Sequence, residues 1–191
     1  DLLNSPQKKG VINTEGSYLI LAGAGSGKTK VLTYRLLHLL IEKKSFPNQI
    51  LAVTFTNKAS LEMKSRVENL LQQPIDHMWL GTFHSLSAKI LRIHAKLIGL
   101  KSNFIILDTD DQLNLIKKIC ERENIDTKEK TPKYYLSVID NYKNKSITSN
   151  SLFINKNKSI DKNISIIYKK YQQELIRLNC VDFGDLILHC I

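Results

Sequence analysis

Ala22-Gly23-Ala24-Gly25-Ser26-Gly27-Lys28-Thr29 sets three glycines at alternate positions and ends on a lysine and a hydroxyl. Before it runs Tyr18–Ala22, an apolar stretch of strand length. After it, Val31, Leu32, Arg35, Leu36, Leu39 and Leu40 recur at helical spacing from Lys28 to about Lys43. A strand, a glycine-rich turn and a helix in that order match the phosphate-binding loop pattern, with Ala22 at the position of the first glycine. Glycines let the backbone wrap closely around phosphate oxygens. Amide hydrogens and the helix N-terminus point at the anion. Lys28 is placed to neutralise the β- and γ-phosphates, and the Thr29 hydroxyl to ligate Mg²⁺. The loop predicts a bound nucleoside triphosphate and leaves open what its energy is used for.

Outward from the loop, the alternation continues. Pro47-Asn48 breaks the chain and Ile50–Phe55 reads as a second strand. Asn57 to about Gln73 reads as a helix with Ala59, Met63, Val67, Leu70 and Leu71 on one face. After Pro74, Met78–Phe83 is a third strand, and Ser85 is expected to cap a helix reaching Leu97. Strands and helices alternating with short turns imply a parallel, doubly wound sheet. Beyond about residue 84 the texture changes. After a short extended piece at Asn103–Leu107, helices are expected at Thr109–Glu123, Tyr134–Tyr142, Ile160–Leu178 and Phe183–Ile191. The expected fold class is therefore α/β, a parallel sheet with a phosphate loop (residues 1–84) followed by a mostly α-helical subdomain (residues 85–191); the resemblance described below implies that the sheet is incomplete.

The 191 residues carry 28 Lys and Arg against 18 Asp and Glu, a formal charge of +10. Such a balance points to a polyanionic partner but speaks only to non-specific attraction. Between Lys143 and Lys170 lie seven lysines and one acid, Asp161, among many Asn, Ser and Ile, which reads as low-complexity surface sequence. Hydrophobic content of 42% and charged content of 24% exclude disordered and collagen-like classes. No apolar run reaches the roughly 18 residues of a membrane span, so no membrane partner is expected. The first residues lack the layout of a signal peptide. They also lack a Met, so the start is expected to be trimmed. Cys120, Cys180 and Cys190 are odd in number and scattered. They fit reduced thiols in the cytoplasm rather than a disulfide framework or zinc site.

A cycling ATPase of this type also needs an acid on a neighbouring strand to hold Mg²⁺ through water. No Asp-Glu pair follows an apolar run. Phe104-Ile105-Ile106-Leu107-Asp108 is the nearest mimic, and Asp108 reads better as an acid between strand and helix. A guanine-reading Asn-Lys-x-Asp is lacking, since Asn57-Lys58-Ala59 is followed by Ser60, which speaks against a GTPase.

The chain resembles the N-terminal part of the UvrD/PcrA/Rep-like superfamily 1 DNA helicases. Leu3-Asn4-Ser5-Pro6-Gln7 is similar to the Q motif and Ala22–Thr29 to motif I. Ala52-Val53-Thr54-Phe55-Thr56-Asn57-Lys58-Ala59 is similar to motif Ia, and Gly81-Thr82-Phe83-His84-Ser85 to motif Ib. Asn103–Asp108, Asp111-Gln112-Leu113 and Val181–Ile187 fall where the family's helical insertion has similar stretches. The resemblance implies that residues 1–84 are the first segment of the RecA-like domain 1A and residues 85–191 the helical domain 1B, cut near its return to 1A. It implies a fragment of an ATP-dependent helicase whose parent moves 3′ to 5′ on single-stranded DNA and unwinds duplex in repair or replication, with repair or replication proteins as further partners. The Walker B acids and second RecA-like domain would lie elsewhere in the parent, so the fragment alone is expected to be inactive.

By position, the resemblance implies that Gln7 pairs with the adenine edge, and that Ala22, Gly23, Ala24, Gly25, Ser26, Gly27, Lys28, Thr29, Lys30 and Arg35 contact ATP, with Thr29 holding Mg²⁺. Lys28 and Thr29 carry the catalytic roles. Phe55, Thr56, Asn57, Thr82, Phe83 and His84 are implied to meet single-stranded DNA, rings for bases and polar groups for backbone. Two positions depart from the pattern. Lys30 stands where the family has an arginine stacked on adenine, and lysine offers no planar guanidinium. Gly184 replaces an acid in Asp182-Phe183-Gly184-Asp185-Leu186, a change expected to alter local capping. A competing reading is a non-cycling, nucleotide-dependent DNA- or protein-binding module. An open sheet edge would favour self-association, which size-exclusion chromatography tests.

Overall fold

A computed structural model describes residues 2–154 and 161–191. The chain divides into two compact units, the first ending at Leu86 and the second beginning at Ser87.

In the first unit, Asn4 caps helix α1 (Ser5–Ile12), and Pro6 sits in its first turn. Helix α2 (Lys28–Ile41) follows the glycine-rich loop. Strand β1 (Leu51–Thr54) leads into α3 (Asn57–Leu71), which Thr56 caps by accepting from the Ala59 N–H at 3.2 Å. Strand β2 (Trp79–Thr82) then leads directly into α4 (Phe83–His94), which crosses the boundary between the units. β1 and β2 are parallel, in a register that pairs Leu51 with Trp79 and Thr54 with Thr82. Leu36 of α2, Met63 and Val67 of α3, and Ile50, Ala52, Ile75 and Met78 form the core. Met63 and Val67 stand at i and i+4, as the helical stripe predicts. Leu70, expected on that face, is instead exposed.

The expectation of a strand at Tyr18–Ala22 is overturned. Residues 18–22 form no ladder, and Leu19 and Leu21 are 85% and 86% exposed. The segment keeps strand-like alternation, because Ile20 points the other way, toward Gly10 of α1 and Val31 of α2. A strand needs a neighbour's N–H and C=O groups, and among the described residues β1 and β2 pair only with each other.

In the second unit a 3₁₀ turn (Ala95–Ile98) precedes β3 (Ile105–Ile106), α5 (Thr109–Arg122), α6 (Pro132–Asn144), α7 (Ser149–Ile154), α8 (Lys162–Arg177), β4 (Cys180–Val181) and α9 (Phe183–Leu188). Helices dominate, as expected. The pairing of β3 with β4, parallel and in the register Ile105 with Cys180, was not anticipated. Nor was α7, which lies in the lysine-rich stretch; residues 155–160 of that stretch, including the expected helix start at Ile160, fall outside the described residues. Ile116, Ile119, Tyr135, Ile139, Tyr168, Tyr171 and Leu175 form the larger core, and Leu91, Phe104, Val181 and Leu186 belong to a second. Among the described residues, no helix is long and apolar enough to cross a membrane.

Lys143, from the lysine-rich stretch, is fully buried. Its ammonium lies 2.5 Å from Asp182 Oδ2 and 2.7 Å from Asp185 Oδ1, two carboxylates that are themselves buried. The Tyr171 hydroxyl donates to Asp182 at 3.0 Å, Gln172 donates to Asp185 at 3.1 Å, and His189 Nε2 lies 3.8 Å from Asp185. Asp182 also caps α9 through the Asp185 N–H at 2.8 Å. Gly184 belongs to this arrangement. A Cβ there would sit 2.9 Å from Lys143 Cδ and 3.3 Å from Asp182 Oδ1. The capping at Asp182 is intact, so what Gly184 supplies is room for the lysine.

Candidate functional site

The glycine-rich loop enters α2 through Gly27, whose φ of 85° lies in the left-handed region that glycine adopts without strain. Ser26 Oγ donates to the Gly23 carbonyl at 2.7 Å, closing the loop on itself. Lys28 Nζ donates to the carbonyls of Ala22 and Gly23 at 2.9 and 3.0 Å. An ammonium has three donors, so one stays available for an anion while two brace the loop. Thr29 is exposed in the first turn of α2. Beside the loop is a cavity of about 260 Å³, bordered by Asn4, Gln7, Ile20, Ala22, Ser26 and Lys28 among others.

Gln7 joins α1 to this loop. Its Oε1 accepts from the Asn4 N–H at 3.1 Å, while Asn4 Oδ1 accepts from the Gln7 N–H at 3.0 Å, a reciprocal capping box. Its Nε2 donates to the Ser26 carbonyl at 3.0 Å. These bonds fix which way the amide faces. A flip would set oxygen against the Ser26 carbonyl and NH₂ against the Asn4 N–H. Each end keeps one free valence, a lone pair on Oε1 and a hydrogen on Nε2.

Arg35 and Lys30, also assigned to ATP, make their side-chain bonds to backbone carbonyls outside the loop. Arg35 Nη1 donates to the carbonyls of Gly10 and Asn13, both at 2.6 Å, and its guanidinium covers the Tyr18 ring at 5.4 Å. It is bound to the end of α1 and does not border the cavity. Lys30 donates to the Leu2 carbonyl. Each is engaged with backbone oxygens, which offer a cation fixed acceptors that a solvated surface does not.

A second group forms at the C-terminal ends of β1 and β2. Parallel pairing of Thr54 with Thr82 brings Phe55-Thr56-Asn57 beside Thr82-Phe83-His84. The Thr82 hydroxyl donates to Asn57 Oδ1 at 3.3 Å. Thr82 and Ser85 cap each other: the Ser85 N–H donates to Thr82 Oγ1 at 3.2 Å, and the Thr82 N–H to Ser85 Oγ at 2.8 Å. The helix therefore starts one turn earlier than expected, with Thr82 rather than Ser85 as its cap. Thr-x-x-Ser is itself the signal that reveals this spacing. Phe55 is 97% exposed and Phe83 65%. His84 is exposed in the same turn. Asp108 caps α5 by accepting from the Asp111 N–H at 2.8 Å, in keeping with its structural reading.

The model of the UvrD/REP helicase N-terminal domain family matches residues 3–191. The chain belongs to the UvrD/REP helicase N-terminal domain family. It is 45% identical over 189 residues to the ATP-dependent DNA helicase PcrA of Staphylococcus epidermidis and 42% identical to that of Staphylococcus aureus, covering 99% of this chain in each case. The match takes in 26% of each relative, so the chain spans about a quarter of the length of the curated relatives it matches. Within the UvrD/REP family match lie both groups described above, the loop with Gln7 and the strand ends with Phe55 and Phe83.

Proposed function

We propose that this chain is the ATP-binding N-terminal region of a DNA helicase that moves 3′ to 5′ on single-stranded DNA and unwinds duplex in repair or replication. The carrying observation is the loop at residues 22–29 opening α2, with Lys28 and Gln7 converging on it. The relatives named as ATP-dependent DNA helicases support the reading. The first unit corresponds on this reading to part of the RecA-like domain 1A and the second to domain 1B.

Ala22, Gly23, Ala24, Gly25, Ser26 and Gly27 present their amides to the triphosphate, and the third donor of Lys28 goes to its oxygens. Gln7 pairs with adenine, its oriented amide offering Oε1 to N6–H and an Nε2 hydrogen to N7. The Thr29 hydroxyl is the hard oxygen this chain would lend to Mg²⁺, with the nucleotide and water as the other donors. Among the described residues, no cluster of His, Cys, Asp and Glu is arranged to hold a metal ion. Bound Mg²⁺ supplies charge neutralisation at the phosphates.

Phe55 and Phe83 offer rings to bases, while Thr56, Asn57, Thr82 and His84 offer polar contacts to the strand. The protein works in the cytoplasm, with Cys120, Cys180 and Cys190 as free thiols. The test is Mg-ATP binding and hydrolysis by the chain, with and without single-stranded DNA, against Lys28→Ala. Binding that Lys28→Ala removes, with little turnover, is expected. Binding that is insensitive to Lys28 would refute the reading.

A further inference from the structure

We propose that Arg35 is the positioning residue for base recognition, acting on the nucleotide only through α1 and Gln7. The proposal rests on the reading of Gln7 as the group that meets adenine. Arg35 stands on α2, two turns beyond Lys28, and its Nη1 spends both hydrogens on the carbonyls of Gly10 and Asn13. These belong to the last turn of α1 and its C-cap. A cation there satisfies carbonyls that a helix end leaves without partners and meets the negative end of its dipole.

The same guanidinium covers Tyr18 of the segment that leads into the loop. One side chain therefore joins α1, α2 and the approach to Ala22. Gln7 and Gly10 lie on one short helix, about 4.5 Å apart along its axis, so fixing one end fixes the other. At the far end the Gln7 amide is oriented by Asn4 and Ser26. That orientation distinguishes adenine, with a donor at position 6, from hypoxanthine, with an acceptor there. Ile20 and Val31 lie close against Gly10, where a Cβ would come within 3.2 Å of each. The seat that Arg35 holds is thus a tight one, and α1 loosened from it carries Gln7 away from the Ser26 carbonyl.

The experiment titrates ATP and inosine triphosphate, each with Mg²⁺, into the 191-residue chain. It uses wild type, Arg35→Ala, Arg35→Lys, Gln7→Ala and the double variant Gln7→Ala/Arg35→Ala, with thermal unfolding measured on each. Wild type should prefer ATP by about tenfold, the effect of one oriented hydrogen bond. Arg35→Ala should bring that ratio close to one, with inosine triphosphate affinity changed by less than about twofold. Arg35→Lys keeps the charge but loses the fork, and its ratio should fall between. The double variant should match Gln7→Ala.

Equal weakening of both nucleotides by Arg35→Ala, or a further change of ratio in the Gln7→Ala background, overturns the proposal. If Arg35→Ala unfolds, Arg35→Lys decides, and an unchanged ratio overturns it. If wild type binds neither nucleotide, or Gln7→Ala keeps the preference, the assignment of Gln7 fails and Arg35 with it. If Gln7→Ala removes the preference and Arg35→Ala does not, the role of Arg35 alone fails.

Discussion

Lys28 and Lys143 each hold an ammonium between two oxygen acceptors, yet they belong to opposite kinds of chemistry. Lys28 is exposed and bonded to two backbone carbonyls, neutral groups that leave its charge uncompensated. Lys143 is fully buried between two carboxylates, with a tyrosine and a glutamine completing their hydrogen bonds. The uncompensated charge at the surface is available to an anion. The compensated one inside is held by the fold and holds it in turn. A buried charge is tolerated only where partners replace its water, so removing Lys143 strands two carboxylates, whereas removing Lys28 strands nothing.

The largest expected effect follows from that contrast. Lys143→Met keeps the apolar stem and deletes the charge, leaving Asp182 and Asp185 facing each other in the interior. It should cost about 3–5 kcal/mol in urea unfolding of the chain. A cost under about 1 kcal/mol would mean that water reaches the cluster and that the two lysines differ less than their burial implies.

Asp182→Asn comes next. It removes the charged acceptor of both Lys143 and Tyr171, and about 2–3 kcal/mol should be lost. Gly184→Ala sharpens the same point without touching a charge. Its Cβ, 2.9 Å from Lys143 Cδ, should cost about 1–3 kcal/mol by overpacking. That cost should shrink in a Lys143→Ala background, a coupling that a double-mutant cycle reads directly.

Asp185 makes the buried cluster readable through pH. Burial, more than any other cause, holds its carboxyl above the ordinary aspartate value of 3.8, against the opposing pull of Lys143. Asp140, half-buried nearby, is raised in the same direction by burial and by Asp182. A raised carboxyl binds its proton more tightly folded than unfolded. The stability it adds is complete below the unfolded value and is lost as pH rises through the folded one. Asp185→Asn escapes that loss, so its stability relative to wild type should improve as pH rises above about 4, the unfolded aspartate range. The pairs that shift carboxyls downward, such as Lys64 with Asp76 and Lys130 with Asp161, cancel in this difference. A parallel pair of stability curves would show that Asp185 ionises as freely folded as unfolded.

The two lysines also mark how far the sequence could be read. The loop at 22–29 and its entry into a helix were legible because the pattern is local: glycine spacing, lysine and helix start are consecutive residues. The period of α3, visible in Met63 and Val67, was legible for the same reason. Lys143 was not, because its partners lie some 40 residues away and its neighbours are surface lysines. Gly184 looked like a lost acid only while Lys143 was out of sight. The strand expected at Tyr18–Ala22 had the right alternation, but pairing depends on a neighbour that local pattern does not supply. Arg35 fell within the helical spacing of α2, and its bonds to Gly10 and Asn13 depend on a contact with α1 that local pattern does not supply.

The smallest expected effect on stability is that of Lys28→Ala, and it bears most on function. The two bonds it removes are exposed and end on carbonyls that water can reach, so unfolding should stay within about 0.5 kcal/mol of wild type. Mg-ATP binding should nevertheless be lost, because Lys28 brings the positive charge that the loop turns toward the phosphates. Both are measured on one preparation, by thermal unfolding and by nucleotide titration. If Lys28→Ala instead destabilises the chain as Lys143→Met does, its bonds to Ala22 and Gly23 are structural. The loss of nucleotide would then report a collapsed loop rather than a missing charge, and the contrast between the two lysines would fail at its exposed end.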